Sequence, residues 1–259
     1  MSSKTTILSK KENLLLENLL EKFGVIVTFS QILKEFSYNK GARQQVRNLV
    51  AKLSKNGWLV RIKNGIYFIS NIESRGFVGL SSITIASIIN RNSYVSLEEA
   101  LRYHGIFDQQ VNIVSSVCLK RERQRDIQGI KYKFIKTSKD NFYGFSEYQL
   151  DGYVVKIASL EKAIFDLINF SRSVYTLDLI LEKFRDYKDY FDFDKLQDVA
   201  KKQSITSKKI VGFFLDLAGL NSEFIYQDIK NKKGSSLMTS DSTLFNAKWN
   251  LYYHSYFKV

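Results

Sequence analysis

The sequence holds no proline, a single cysteine and two histidines among its 259 residues. Without proline, helix ends and turns fall to glycine, asparagine, serine and aspartate. One thiol, Cys118, excludes an internal disulfide framework and any cysteine-based metal cluster, and it fits a reducing cytoplasm. The histidines, His104 and His254, form no Cys–His pair at motif spacing, and no glycine-rich phosphate loop is present. Gly234-Ser235 with Asp241 resembles a nucleotidyltransferase motif only superficially, since the second carboxylate is missing and the spacing is short; Asp192-Phe193-Asp194 has no Gly-Ser before it. These absences predict a protein that is not an enzyme, with no metal and no cofactor. No apolar run approaches the roughly 20 residues that span a bilayer, and Met1–Lys11 carries charge without the apolar stretch of a signal peptide. A cytoplasmic protein without a membrane partner is expected.

Acidic residues are also scarce: 26 Asp and Glu stand against 39 Lys and Arg, a net charge of +13. The imbalance is uneven. Residues 1–72 carry 12 Lys and Arg against 4 Glu, and the remainder carries 27 against 22. Positive charge concentrated in a short segment points to a polyanion. With 44% hydrophobic residues the chain has the material for a packed core.

The first 72 residues read as helix, helix, helix, hairpin. Ser9 is placed to cap a helix over 10–23, with Leu16, Leu19, Leu20 and Phe23 as its apolar stripe. After an extended piece at Val25–Val27, Thr28 or Ser30 starts a short helix ending at Phe36, with Ile32, Leu33 and Phe36 inward. A turn at Ser37-Tyr38-Asn39 precedes a third helix over about 40–55, which buries Val46, Leu49, Val50 and Leu53. Trp58–Ile62 and Ile66–Ile69, joined across Asn64-Gly65, form a hairpin. That order is a winged helix-turn-helix. The outer face of its third helix presents Lys40, Gln44, Arg47, Asn48 and Lys55, with Arg43 on its flank, and the wing presents Arg61, Lys63 and Asn64. Arginine reads guanine, and glutamine or asparagine reads adenine, through paired hydrogen bonds in the major groove. Double-stranded DNA is therefore the expected partner; a protein-interaction module on the same scaffold is the alternative.

A boundary near Ile72–Gly79 separates residues 1–72 from a larger mixed α/β domain, residues 73–259, so the fold class is α+β. In the second part, 81–89 reads as an apolar helix, and Ser96 with Glu99 as a capping box for a helix to His104, which packs or caps there. Strands are expected at 111–119, 129–137 and 153–157. The basic run Lys120, Arg121, Arg123 and Arg125 lies between the first two, either as a solvated hairpin loop or as a contact to phosphates or an RNA-like partner. Ser159 caps a helix with Leu160, Ala163, Ile164, Leu167 and Ile168 on one face, leaving Glu161, Lys162 and Asp166 exposed away from it, either as a local ion-pair set or as a binding surface. Further helices are expected around 177–187, 194–203 and 206–219, and the aromatic tail, Trp249–Phe257, is expected to cover core.

Three segments carry a family resemblance. Gly57-Trp-Leu-Val-Arg-Ile-Lys-Asn-Gly-Ile-Tyr67 resembles the wing of AbiEi-type antitoxins, the antitoxin half of AbiE abortive-infection systems. Tyr94–Ile106 and Lys156–Asp166 resemble two further segments of that family, in family order, although Leu160 and Ala163 replace its usual proline and threonine. The resemblance covers about residues 9–170. It implies repression of the protein's own promoter, with repeated half-sites, through the first domain. It also implies that the second domain counteracts a nucleotidyltransferase-type toxin without a stable complex. Lys120, Arg121, Arg123, Arg125, Glu161, Lys162 and Asp166 are the candidate antitoxin surface.

Overall fold

A computed structural model describes residues 7–36, 42–72, 76–110 and 112–258. It is a mixed helix-and-strand structure, with ten α-helices and three sheets among the described residues. The chain divides into two compact units, Met1–Ile89 and Asn90–Val259.

Unit 1 begins with α1 (Lys10–Phe23), set by a reciprocal cap: the Glu12 N–H donates to Ser9 Oγ at 3.3 Å, and the Ser9 N–H donates to Glu12 Oε2 at 2.8 Å. Its buried stripe is Glu12, Leu15, Leu16 and Leu19. Leu20, expected inside, is 40% exposed, because the stripe is turned toward Leu15. Strand β1 (Ile26–Thr28) leads into α2 (Phe29–Phe36), where Thr28 and Gln31 exchange the same pair of capping bonds at 3.2 and 2.7 Å. Ile32 is buried, whereas Phe36, also expected inside, lies at the outer end of the last turn. The turn at 37–39 and Lys40 lie outside the described residues. Helix α3 (Ala42–Lys55) buries Ala42, Val46, Val50 and Leu53. It closes when the Trp58 N–H returns to the Leu53 carbonyl at 2.9 Å. Strands β2 (Leu59–Lys63) and β3 (Ile66–Ile69) form the hairpin, and Gly65 takes the left-handed φ, +74°, that the tight turn requires. The antiparallel sheet order is β1-β3-β2.

Helix α4 (Ser82–Ile89) packs against β2, so the first unit runs past the composition break to Ile89.

Unit 2 is built on a six-stranded mixed sheet. Its strands are β4 (Ser93–Val95), β5 (Ile113–Cys118), β6 (Arg125–Ile127), β7 (Ile130–Lys136), β8 (Phe145–Leu150) and β9 (Tyr153–Ala158), in the order β6-β7-β5-β4-β9-β8. The pairs β5–β7 and β4–β9 are parallel and the others antiparallel. Strands β4, β6 and β8 are additions to the sequence reading. A short helix, α5 (Glu98–Tyr103), follows β4, but Ser96 does not cap it: Leu97 precedes the helix at φ +59° without a side-chain cap bond. The Ser96 hydroxyl is instead spent on Asp166.

Helix α6 (Leu160–Phe170), capped by Ser159, contacts β9 and α5 as well as three later helices: α7 (Val174–Asp186), α8 (Phe193–Lys201) and α9 (Ile205–Leu217). After α10 (Glu223–Ile229) the chain closes with a small sheet of β10 (Ser236–Leu237), β11 (Leu244–Asn246) and β12 (Leu251–Tyr253), ordered β10-β12-β11. In the aromatic tail Trp249, Leu251 and Phe257 are buried, as a docking strand or core cover requires, whereas Tyr252 and Tyr256 are exposed. Trp249 is 1% exposed, donates Nε1–H to Asp216 Oδ2 at 2.7 Å and packs closely against Gly212 of α9.

Candidate nucleic-acid interface

The helical period that buries Val46, Val50 and Leu53 turns Arg43, Gln44, Arg47 and Asn48 to solvent, and all four are exposed. They are linked along the helix. Gln44 Nε2 donates to Asn48 Oδ1 at 3.0 Å, and Arg47 approaches Gln44 Oε1 at 3.5 Å. These bonds hold the amides in one row and leave each with unused donor and acceptor positions. A planar guanidinium beside such amides can make two-point contacts to base edges. No acidic residue occurs anywhere from Phe36 to Ile72, so no carboxylate of this stretch neutralises the face.

The hairpin contributes Arg61 and Asn64, both exposed and hydrogen-bonded to each other, guanidinium to amide oxygen. Lys63 departs from expectation. It is half-buried, and its ammonium donates to the Ile89 carbonyl at 2.9 Å, capping the end of α4. That bond ties the hairpin to α4 and takes Lys63 out of the free wing charges. Lys40 lies outside the described residues. Lys52, on the same helix, is held by Glu12 at 2.7 Å. Lys52 is the largest cause of the Glu12 carboxyl lying below its ordinary range.

In unit 2 the expected antitoxin residues separate into two groups. Lys120, Arg121 and Arg123 are exposed on the loop between β5 and β6. Arg125 opens β6, half-buried, and turns back to Glu122 at 3.3 Å. Glu161, Lys162 and Asp166 are not on the surface: they are 3%, 1% and 0% exposed. The correction has a simple cause. Packed by β9 and α5 as well as by α7, α8 and α9, α6 is buried at every residue from Leu160 to Ile168.

Buried charge needs partners, and α6 supplies them. Lys162 Nζ is ion-paired with Asp166 Oδ1. Asp166 Oδ2 accepts from Ser96 Oγ at 2.8 Å and Tyr94 Oη at 3.1 Å. Burial pushes the Asp166 carboxyl up, against the pull of Lys162 and the two hydroxyls. The Lys162 ammonium also faces the Tyr143 ring at 5.1 Å. Tyr143 is pushed up to about 12 by burial, and its oxygen accepts from Gln203 Nε2 and donates to the Val199 carbonyl. The network joins β4, α6, the segment before β8, and α8. Its geometry fastens the core and exposes no reactive atom. Glu161 Oε1 likewise accepts the Asp192 N–H at 3.1 Å, at the start of α8. His104 ends α5 and bonds the Ala158 carbonyl through Nε2 at 2.8 Å, a packed role.

No family model matches the sequence. Nor does any curated protein. Among solved structures the fold is similar to the crystal structure of the RV2827C protein from Mycobacterium tuberculosis, with a TM-score of 0.67 over 96% of this chain and 92% of that one. Identity between the two is 11%, so the likeness concerns the fold alone. No helix among the described residues is long and apolar enough to cross a membrane.

Proposed function

We propose that the chain is a DNA-binding transcriptional autorepressor and antitoxin, whose first unit works as a winged helix-turn-helix. Helix α3 is the recognition helix in this reading and the β2–β3 hairpin is the wing. The observation that carries it is the exposed row Arg43, Gln44, Arg47 and Asn48 on a helix whose opposite face is core, in a stretch without one acidic residue. Arg61 and Asn64 extend the same polar surface onto the hairpin. The second unit is assigned the antitoxin role against a nucleotidyltransferase-type toxin, as the AbiEi resemblance implies; there the exposed cations Lys120, Arg121 and Arg123 remain the candidates.

The test is titration of the full chain against DNA from its own promoter at several salt concentrations. Each phosphate neutralised contributes about −0.9 to the slope of log K against log salt. Arg47→Ala or Gln44→Ala is expected to cost about 1–3 kcal/mol on the preferred sequence and little on random DNA. Binding that is absent, or indifferent to salt and to both changes, refutes the reading. The antitoxin half is tested by growth: residues 90–259 should relieve toxicity of the toxin from the same operon without unit 1.

A further inference from the structure

A cleft of about 470 Å³ opens in unit 2, where the β5–β7 part of the sheet meets the start of α7. Lys131 and Lys133, which flank the buried Tyr132 on β7 and are both exposed, line it. The pleat puts such alternate residues on one face, about 6–7 Å apart. Tyr175, on the first turn of α7, stands at the rim with 59% of its surface exposed. Between them lie the exposed amides of Gln109, Gln110 and Gln124 and the half-exposed carboxylate of Glu98. Gln124 is the last residue of the basic loop, so the loop that carries the exposed Lys120, Arg121 and Arg123 ends in the cleft lining.

We propose that this cleft binds single-stranded RNA. The parts match what such a strand offers. Two lysines in register with the strand suit consecutive phosphates, and an exposed tyrosine provides a face on which an unpaired base stacks. Glutamine amides pair with base edges of either polarity. Glu98 repels phosphate, but as a pure acceptor it takes a hydroxyl or amino donor, and the 2′-hydroxyl is the donor that distinguishes RNA from DNA. The volume falls within the roughly 300–1,000 Å³ of ligand pockets and suits part of a strand, the rest following the basic loop. A duplex is too wide to bring its stacked bases onto Tyr175. The proposal does not rest on the DNA reading of unit 1, since it uses no residue of that unit.

The test uses the full chain and a fluorescent oligouridylate of about ten nucleotides, a length within the usual range of about 4–16 per single-strand site. Affinity is read by anisotropy. Lys131→Ala with Lys133→Ala is expected to weaken binding tenfold or more, and Tyr175→Ala roughly tenfold, the loss of one base–aromatic stack. Tyr175→Phe should keep the affinity, and Arg43→Ala with Arg47→Ala should leave it unchanged. All these side chains are exposed, so the melting temperature serves as a control on folding. Failure to bind overturns the proposal. So does a loss caused by the Arg43 and Arg47 changes while the cleft changes are silent, which would place the RNA on unit 1. Equal affinity for oligodeoxyuridylate, with Glu98→Gln without effect, would overturn the RNA assignment in favour of any single strand. Equal competition by polyglutamate would overturn it in favour of an acidic polypeptide.

Discussion

Replacing Lys162 by methionine is the sharpest probe of unit 2. The change keeps most of the stem and deletes the ammonium. Asp166 is then left at 0% exposure with only the Ser96 and Tyr94 hydroxyls, at 2.8 and 3.1 Å. Breaking a buried pair from one side costs about 3–5 kcal/mol. For a domain of this size, about 2–4 °C per kcal/mol makes that roughly 6–20 °C in melting temperature. A surface cluster would instead give changes within about 0.5 kcal/mol. Trp249 fluorescence in a Trp58→Phe background follows unit 2 alone, since these are the two tryptophans. The deficit should depend on pH with a definite sign. Burial raises the Asp166 carboxyl, and loss of Lys162 removes a pull in the opposite direction. A carboxyl raised on folding takes up a proton as the chain folds, so lowering the pH from 7 toward 5 favours the folded variant and narrows the gap to wild type. Adding Asp166→Asn should recover much of the loss, because the amide oxygen still accepts both hydroxyls and no lone charge remains. A shift under about 2 °C for Lys162→Met, or strict additivity of the two changes, would refute the reasoning.

Gly212→Ala should destabilise unit 2 by at least about 1–3 kcal/mol, since the added Cβ would sit 2.2 Å from the Trp249 ring; chemical denaturation followed by Trp249 fluorescence measures it. Glu12 is held low by Lys52, so that contribution is present above the ordinary glutamate range and lost as the pH falls through the depressed value. Lys52 is largely exposed, which keeps the effect below about 1 kcal/mol; Lys52→Ala should make acid unfolding of unit 1 less steep.

Much of unit 1 was legible because its elements are set locally. Ser9 and Thr28 begin their helices through bonds three residues long, and Asn64-Gly65 makes its turn from its own backbone preference. The hairpin β8–β9 had an equally local mark. Asp151-Gly152 takes positive φ at both residues, +52° and +77°, the tight turn that Asp-Gly favours. What no local pattern could give was the fate of Ser96. The sequence offered it a helix start three residues before Glu99, but Asp166, 70 residues later, claimed the hydroxyl. Lys63 was lost as a wing charge in the same way, to a carbonyl 26 residues on.

The charged residues of α3 and α6 differ in a way that could have been read beforehand. On α3, Arg47 and Asn48 stand four residues after Arg43 and Gln44; the apolar residues at i, i+3 spacing, Val46 after Arg43 and Val50 after Arg47, are aliphatic and buried, and no aromatic ring falls within the row. On α6, Phe165 stands four residues after Glu161 and three after Lys162, next to Asp166. Residues three and four apart share a helix face, so a face that exposes Glu161 and Lys162 would also expose a phenylalanine. Phe165 is in fact 0% exposed. The penalty for exposing that ring, about 1.5–3 kcal/mol, was a reason to bury the face. The i, i+4 spacing of Lys162 and Asp166 supplied the pairing that makes burial tolerable. A charge cluster that shares its face with an aromatic ring therefore reads as core held by an ion pair. One whose spacing brings in no aromatic ring reads as surface, and the exposed row Arg43, Gln44, Arg47 and Asn48 on α3 is of that second kind.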